Sequence, residues 1–234
     1  MSPKPRKLIF DLYDPESPVG TEFRRLLHNI TRATKGKERK SFLTTSAMLS
    51  EGKSTVSAYL ALTSAAYKSH KTVLVDCDLR RPSIHRLFGL PLEGGVTDVI
   101  DGKLSAEEAF KGTKVENLWV LTAGTLKKNP TELFESQGVK KVVEQLKFYF
   151  ELVFVDCAPI IPVSDPVELA PELDGVLLVI KAGTTQSEVI LRAADIVQKA
   201  DAEIVGVVLN NMNSVLPYFY NHSYYGYSYT SRGR

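Results

Sequence analysis

Cysteine is nearly missing. The 234 residues hold two, Cys77 and Cys157, with no CxxC between them. That spacing excludes a disulfide framework and fits a reducing cytoplasm. Long apolar runs are missing too. The longest, Val176–Ile180, falls far short of the ~18 residues of a membrane-spanning helix. The start, MSPKPRKLIF, is basic, but too little apolar chain follows it for a secretory signal. Neither sign of charge dominates. A net charge of +2 and a pI of about 8.4 do not describe a nucleic-acid specialist, and no nucleic-acid partner is expected. What remains is balance: 44% hydrophobic and 24% charged residues, in a length that suits one α/β domain with a real core.

Residues 1–17 hold three prolines and little periodicity, and read as an arm. Phe23, Leu26, Leu27 and Ile30 recur at helical spacing, which predicts a helix over 19–33. The charged run Lys35–Lys40 reads as a solvated connector. Short apolar strands then alternate with helices. The strands are Ser41–Thr45, Thr72–Asp76, Leu118–Thr122, Leu152–Asp156, Val176–Lys181 and Ile204–Asn210. The helices are Lys53–Lys68, Gln137–Tyr149 and Gln186–Ala200. Runs rich in Val, Leu and Ile without alternation belong to strands buried on both faces. Their alternation with helices predicts a mostly parallel sheet flanked by helices on both faces. Trp119 is expected in the core, Cys77 and Cys157 as buried spectators, and His85 and His222 show no metal-ligand spacing. The globular part is predicted over 18–213. Residues 214–234 carry six of the ten tyrosines and read as a disordered, mobile tail.

Between the first strand and its helix lies SAMLSEGKST, Ser46–Thr55. A Gly-Lys-Ser turn in strand–loop–helix context is a phosphate loop, and predicts a P-loop NTPase fold. Backbone N–H groups and the helix dipole attract β- and γ-phosphates. Gly52 lets the backbone approach them, Lys53 supplies a point charge, and the Ser54 hydroxyl suits Mg²⁺. Ser50, Glu51, Gly52, Lys53, Ser54 and Thr55 are therefore the candidate nucleotide-binding residues, with Ala47 where the usual pattern has its first glycine. Asn210, ending the last strand, is a candidate adenine contact. Asp76, Asp78 and Asp156 end two further strands, at the rim where open α/β sheets bind ligands. Three acids in register with a phosphate loop point to Mg·ATP, with Ser54, Asp76 and Asp156 as the candidate metal set.

These motifs together carry a resemblance. VLVDCDLRRP (Val73–Pro82), TSAMLSEGKST (Thr45–Thr55), FVDCAP (Phe154–Pro159) and the tyrosine-rich tail resemble the bacterial protein-tyrosine kinases, which are P-loop kinases. Leu49 and Ser50 replace the family's Pro-Gly. In its N-terminal contact helix Thr21 stands for a glutamate and Leu27 for an arginine. The resemblance implies transfer of the ATP γ-phosphoryl group to tyrosine. Lys53, Asp76, Asp78 and Asp156 would be the catalytic residues, with Asp76 the first candidate base and Asp78 assisting at the metal or base, two acids that the sequence alone does not rank. Tyr218, Tyr220, Tyr224, Tyr225, Tyr227 and Tyr229 would be the self-phosphorylated sites. It also implies control of capsular or extracellular polysaccharide export. The implied partners are a transmembrane activator (a polysaccharide co-polymerase) that recruits a cytoplasmic protein to the inner membrane face, a tyrosine phosphatase, and further copies of the chain, including a ring. Arg80 and Arg81 are candidates for positioning phosphate or a neighbouring subunit. The competing readings are a partitioning or division-site switch ATPase, whose signature lysine is lacking at Ala47–Leu49, an iron–sulfur carrier, which needs a CxxC, and a nucleotide-binding scaffold without turnover.

Overall fold

The computed structural model describes residues 7–32, 38–126, 129–135 and 137–211. In chain order the elements are α1 (Ile9–Leu12), α2 (Pro18–Thr31), β1 (Ser41–Ser46), α3 (Lys53–Lys68), β2 (Thr72–Cys77), α4 (Ile84–Phe88), α5 (Val96–Ile100), α6 (Ala106–Ala109) and β3 (Lys111–Gly112). They continue with β4 (Leu118–Leu121), α7 (Pro130–Phe134), α8 (Gln137–Tyr149), β5 (Leu152–Cys157), α9 (Asp165–Leu169), β6 (Gly175–Lys181), α10 (Ser187–Lys199) and β7 (Ile204–Asn210).

The strands form one sheet in the order β3-β4-β2-β5-β1-β6-β7. All neighbours run parallel except the short edge strand β3, which pairs antiparallel with β4. The unalternating apolar runs are the cause of this architecture. Every residue of β1, β2 and β5 is buried, as strands covered on both faces require.

Alternation along each strand sorts the side chains into two cores. Phe42, Leu74, Phe154, Leu177 and Val179 face α3, where they meet Leu60 and Leu62 together with Leu27 and Ile30 of α2. Leu43, Val75, Val155, Leu178 and Ile180 face the other way, onto Val142, Val143 and Leu146 of α8 and Ala193 and Val197 of α10. Phe42 and Phe154 stack at 5.7 Å between ring centroids on the first face, and losing either ring would cost about 3–5 kcal/mol. On that same face Thr44, Asp156 and Asp76 lie side by side across β1, β5 and β2 in strict register.

α2 starts on Ser17, whose hydroxyl accepts the Gly20 N–H at 3.0 Å, with proline in its first turn. It ends two residues before the predicted boundary. Residues 7–17, read from the sequence as part of an arm, lie against the α3 face. Ile9 is buried there, and Tyr13 shares a 2.9 Å hydrogen bond with Thr63 of α3. Arg39 corrects the expectation of a solvated connector: it is buried and pairs with Glu203 at 2.7 Å, tying the entry of β1 to the entry of β7. The six tail tyrosines, Tyr218 to Tyr229, lie outside the described residues.

Candidate active site

β1 delivers the chain to the rim of the sheet and α3 carries it back, with residues 47–52 turning between them. The turn is held from inside. Glu51, though charged, is buried. Its carboxylate accepts the Met48 N–H at 2.6 Å, the Lys181 N–H at the end of β6 at 3.3 Å, and the Thr185 hydroxyl. The side chain of Glu51 therefore faces the sheet and sets the shape of the loop. The Asn210 amide, at the end of β7, donates to the Glu51 carbonyl at 2.9 Å. Gly52 follows at φ +95°, and a Cβ there would stand 2.1 Å from Asn210 Nδ2. Two constraints, a left-handed backbone and a neighbour pressed against it, thus demand glycine at that position. Ser50 takes φ +62° without being glycine, a local strain of about 1 kcal/mol. Ser50 and Thr55 are exposed, and Ser54 is half-buried.

α3 begins at Lys53 with no side chain capping its first turn, so its leading N–H groups and dipole face the loop. Lys53 Nζ donates to Asp78 Oδ2 at 2.6 Å and lies 3.5 Å from the Ser54 hydroxyl. Burial would lower the lysine's pKa, but the charges of Asp156 and Asp78 and the hydrogen bond to Asp78 outweigh it and raise the value.

The acids are wired differently. Asp78 also accepts the Arg81 N–H at 3.1 Å through Oδ1. Asp76 Oδ2 accepts the N–H groups of Ser83 and Ile84 at 2.9 and 3.0 Å, and Oδ1 accepts that of Asp78 at 3.3 Å. Burial, reinforced by the neighbouring Asp156 charge, still pushes Asp76 up to about 7. Asp156 is pushed up to about 6, mainly by burial, against the pull of Lys53. The Ser54 and Ser57 hydroxyls face Asp156 and lower its value somewhat. Neither closes a hydrogen bond of good geometry: both Asp156 oxygens, Ser57 Oγ and Thr44 Oγ1 have no partner among the described residues. A fully buried carboxylate with both oxygens open, beneath an uncapped helix start and a lysine, suits a divalent cation carrying a nucleotide's phosphates.

Lys53, Ser54, Asp76, Asp78 and Asp156 thus share one rim of the sheet. Two residues of the site, Ser57 and Thr44, were not read from the sequence. Ser57 lies one helical turn beyond Ser54, and that i, i+3 spacing was the available signal. Thr44 reaches Asp156 only through strand register. Arg80 makes a bidentate pair with the fully buried Asp165, at 2.8 and 3.0 Å, and Thr131 adds its hydroxyl at 2.9 Å. This fork ties the loop after Asp78 to α7 and α9 through Arg80, the residue expected to position phosphate or a neighbouring subunit.

The family model described as "ParA: NUBPL iron-transfer P-loop NTPase" matches residues 46–228, which places the fold among the ParA-like P-loop NTPases. The CapB protein of Staphylococcus aureus is 34% identical over 227 residues, covering 96% of this chain and 97% of CapB. Tyrosine-protein kinase YwqD of Bacillus subtilis (strain 168) is 32% identical over 219 residues, 94% of this chain and 90% of YwqD. Among solved structures, the chimerical protein CapA2B2 superposes with a TM-score of 0.81 at 28% identity, over 86% of this chain and 88% of the other. The chain belongs to the bacterial protein-tyrosine kinases.

Proposed function

We propose that this kinase transfers the γ-phosphoryl group of ATP to the tyrosines of its own tail, Tyr218, Tyr220, Tyr224, Tyr225, Tyr227 and Tyr229, and thereby controls polysaccharide synthesis or export. The observation that carries the reading is the open Asp156 carboxylate beside Ser54 and the Lys53–Asp78 pair. Ser54 and Asp156 would hold Mg²⁺, with Asp76 behind them. When bound, the ion neutralises charge on the group being transferred. Lys53 holds phosphate charge, and its ammonium turns from Asp78 toward the phosphates as they arrive. That exchange frees Asp78 Oδ2 to accept the phenol proton, while the tyrosine oxygen forms its bond to phosphorus and the bond to ADP breaks. Asp76 is a poorer base than its neighbour because backbone N–H groups already occupy both of its oxygens. The wiring thus favours Asp78 between two acids that the motif alone leaves unranked.

The iron-transfer label of the matching family model finds no support in the thiols. Cys77 and Cys157 are buried in the core, and burial raises both well above the usual thiol range. No helix among the described residues is long and apolar enough to cross a membrane. The likeness to the chimerical protein CapA2B2 supports a partner chain, which we assign as a transmembrane activator that draws the kinase to the inner membrane face. A tyrosine phosphatase would reset the tail. Added phosphates, each about −1.5 to −2 charges, would repel the acid-lined site and loosen an assembly of copies.

The test is incubation of the purified chain with Mg·ATP, with and without the cytoplasmic tail of a candidate activator, followed by mapping of phosphotyrosine. Phosphate is expected between Tyr218 and Tyr229, and none in Lys53→Met. Phosphate found only elsewhere would remove the tail as substrate. A chain with no affinity for adenine nucleotides would remove the whole reading.

A further inference from the structure

The phosphate loop carries a feature that nucleotide binding does not use. Met48 and Leu49 sit on its outer turn, each 45% exposed. Large apolar side chains left in water are unfavourable, and a floppy loop would fold them inward. This loop cannot. The Met48 N–H is held by Glu51 Oε2 at 2.6 Å, and the Met48 carbonyl accepts the Ser46 hydroxyl at 2.7 Å. Glu51 is itself anchored on β6, and Ser50 adds a left-handed turn immediately after Leu49. The pair is therefore presented outward on a hydrogen-bonded base, in the same short loop that ends at Lys53.

We propose that Met48 and Leu49 form the seat for the aromatic ring of the acceptor tyrosine. The inference rests on the kinase reading and extends it to acceptor specificity. An attacking oxygen must approach to about 3–3.5 Å of the phosphorus. The ring bonded to that oxygen then lies against the outer residues of the loop that holds the phosphate. A thioether and a branched aliphatic chain suit an aromatic edge and face. Serine and threonine have no ring to place there, so the same surface favours tyrosine over other hydroxyl acceptors. The hydroxyl is handled by Asp78 and the ring by this platform.

A peptide spanning residues 215–230 serves as acceptor for the full chain, its own tail unchanged. In the double variant Met48→Ser/Leu49→Ser, the KM for this peptide is expected to rise about tenfold, because the packing partner of the ring is lost. ADP affinity and the thermal midpoint should stay at the parent values. The conservative pair Met48→Leu/Leu49→Met should keep the parent KM. An unchanged peptide KM in the serine variant would overturn the proposal. So would a parallel loss of ADP affinity, which would mean the loop itself had collapsed, or a KM change matched by a change in oligomer size, which would assign the pair to a subunit contact. Binding of the same peptide in the presence of Mg·ADP, followed by fluorescence anisotropy, needs no turnover. A parent chain that binds the peptide but makes no phosphotyrosine would sink the kinase reading alone. Equal peptide binding by parent and serine variant would sink the platform alone.

Discussion

Asp76 and Asp156 stand side by side on adjacent strands, each at the end of an apolar run and each followed by a cysteine, yet their surroundings differ. The exit of β2 folds back so that the Ser83, Ile84 and Asp78 N–H groups all point at Asp76. The exit of β5 leads away, and Asp156 keeps both oxygens open. One acid is already occupied in shaping its own loop, whereas the other keeps both oxygens without a partner among the described residues. Burial alone therefore does not mark a functional carboxylate. The hydrogen bonds that burial leaves unmade are what separate these two neighbours.

The largest expected effect tests the open acid. Asp156→Asn should lower phosphoryl transfer by about 10²–10³-fold, since a charge aimed at the reacting group is removed. It should leave the fold intact, as judged by circular dichroism. Transfer within threefold of the parent would erase the distinction between the two acids. The occupied acid should respond in the opposite currency. Asp76→Ala strands the Ser83 and Ile84 N–H groups in the core and should cost about 2–4 kcal/mol in urea unfolding. If Asp156→Ala cost as much, the difference in wiring would have no energetic meaning.

The smallest effect sharpens the comparison through pH. Both acids lie above the ordinary carboxylate value of 3.8, so between about pH 4 and 7 the folded chain keeps protons that the unfolded chain has released. Their contribution to stability therefore falls as pH rises through that window. Asp156→Asn removes one of the two charges. Its melting temperature relative to the parent, both without nucleotide, should climb by a few degrees from pH 4 to pH 7.5. A flat or falling difference would show that burial does not hold these acids protonated.

Much of this was legible in the residues. β1, β2, β5 and β6 announce themselves as unbroken apolar runs, because strands buried on both faces have no polar side to show. α3 begins at the residue where Gly-Lys-Ser says it must, since the phosphate loop couples a strand end to a helix start. Asp76, Asp78 and Asp156 were found because their strands end at the same rim. What was hidden depends on contacts distant in sequence. The motif places Glu51 in the nucleotide loop, and only Lys181 and Thr185 reveal that its side chain faces inward. Asn210 gives no hint that it presses on Gly52. Arg39, in a run of charges, is buried by a partner far along the chain. Elements of four or five residues, such as α1, α4 and α9, are too short to show a period.

The central position of β1 has a consequence for biogenesis. The strand that leads into the phosphate loop has as its two neighbours β5 and β6, both in the far half of the chain. On the ribosome, the Gly-Lys-Ser turn emerges long before anything can flank it, and loop closure across so wide a gap is slow. A polypeptide that stops before β6 leaves β1 without one of its two sheet neighbours, so nucleotide binding is expected only once β6 has joined the sheet.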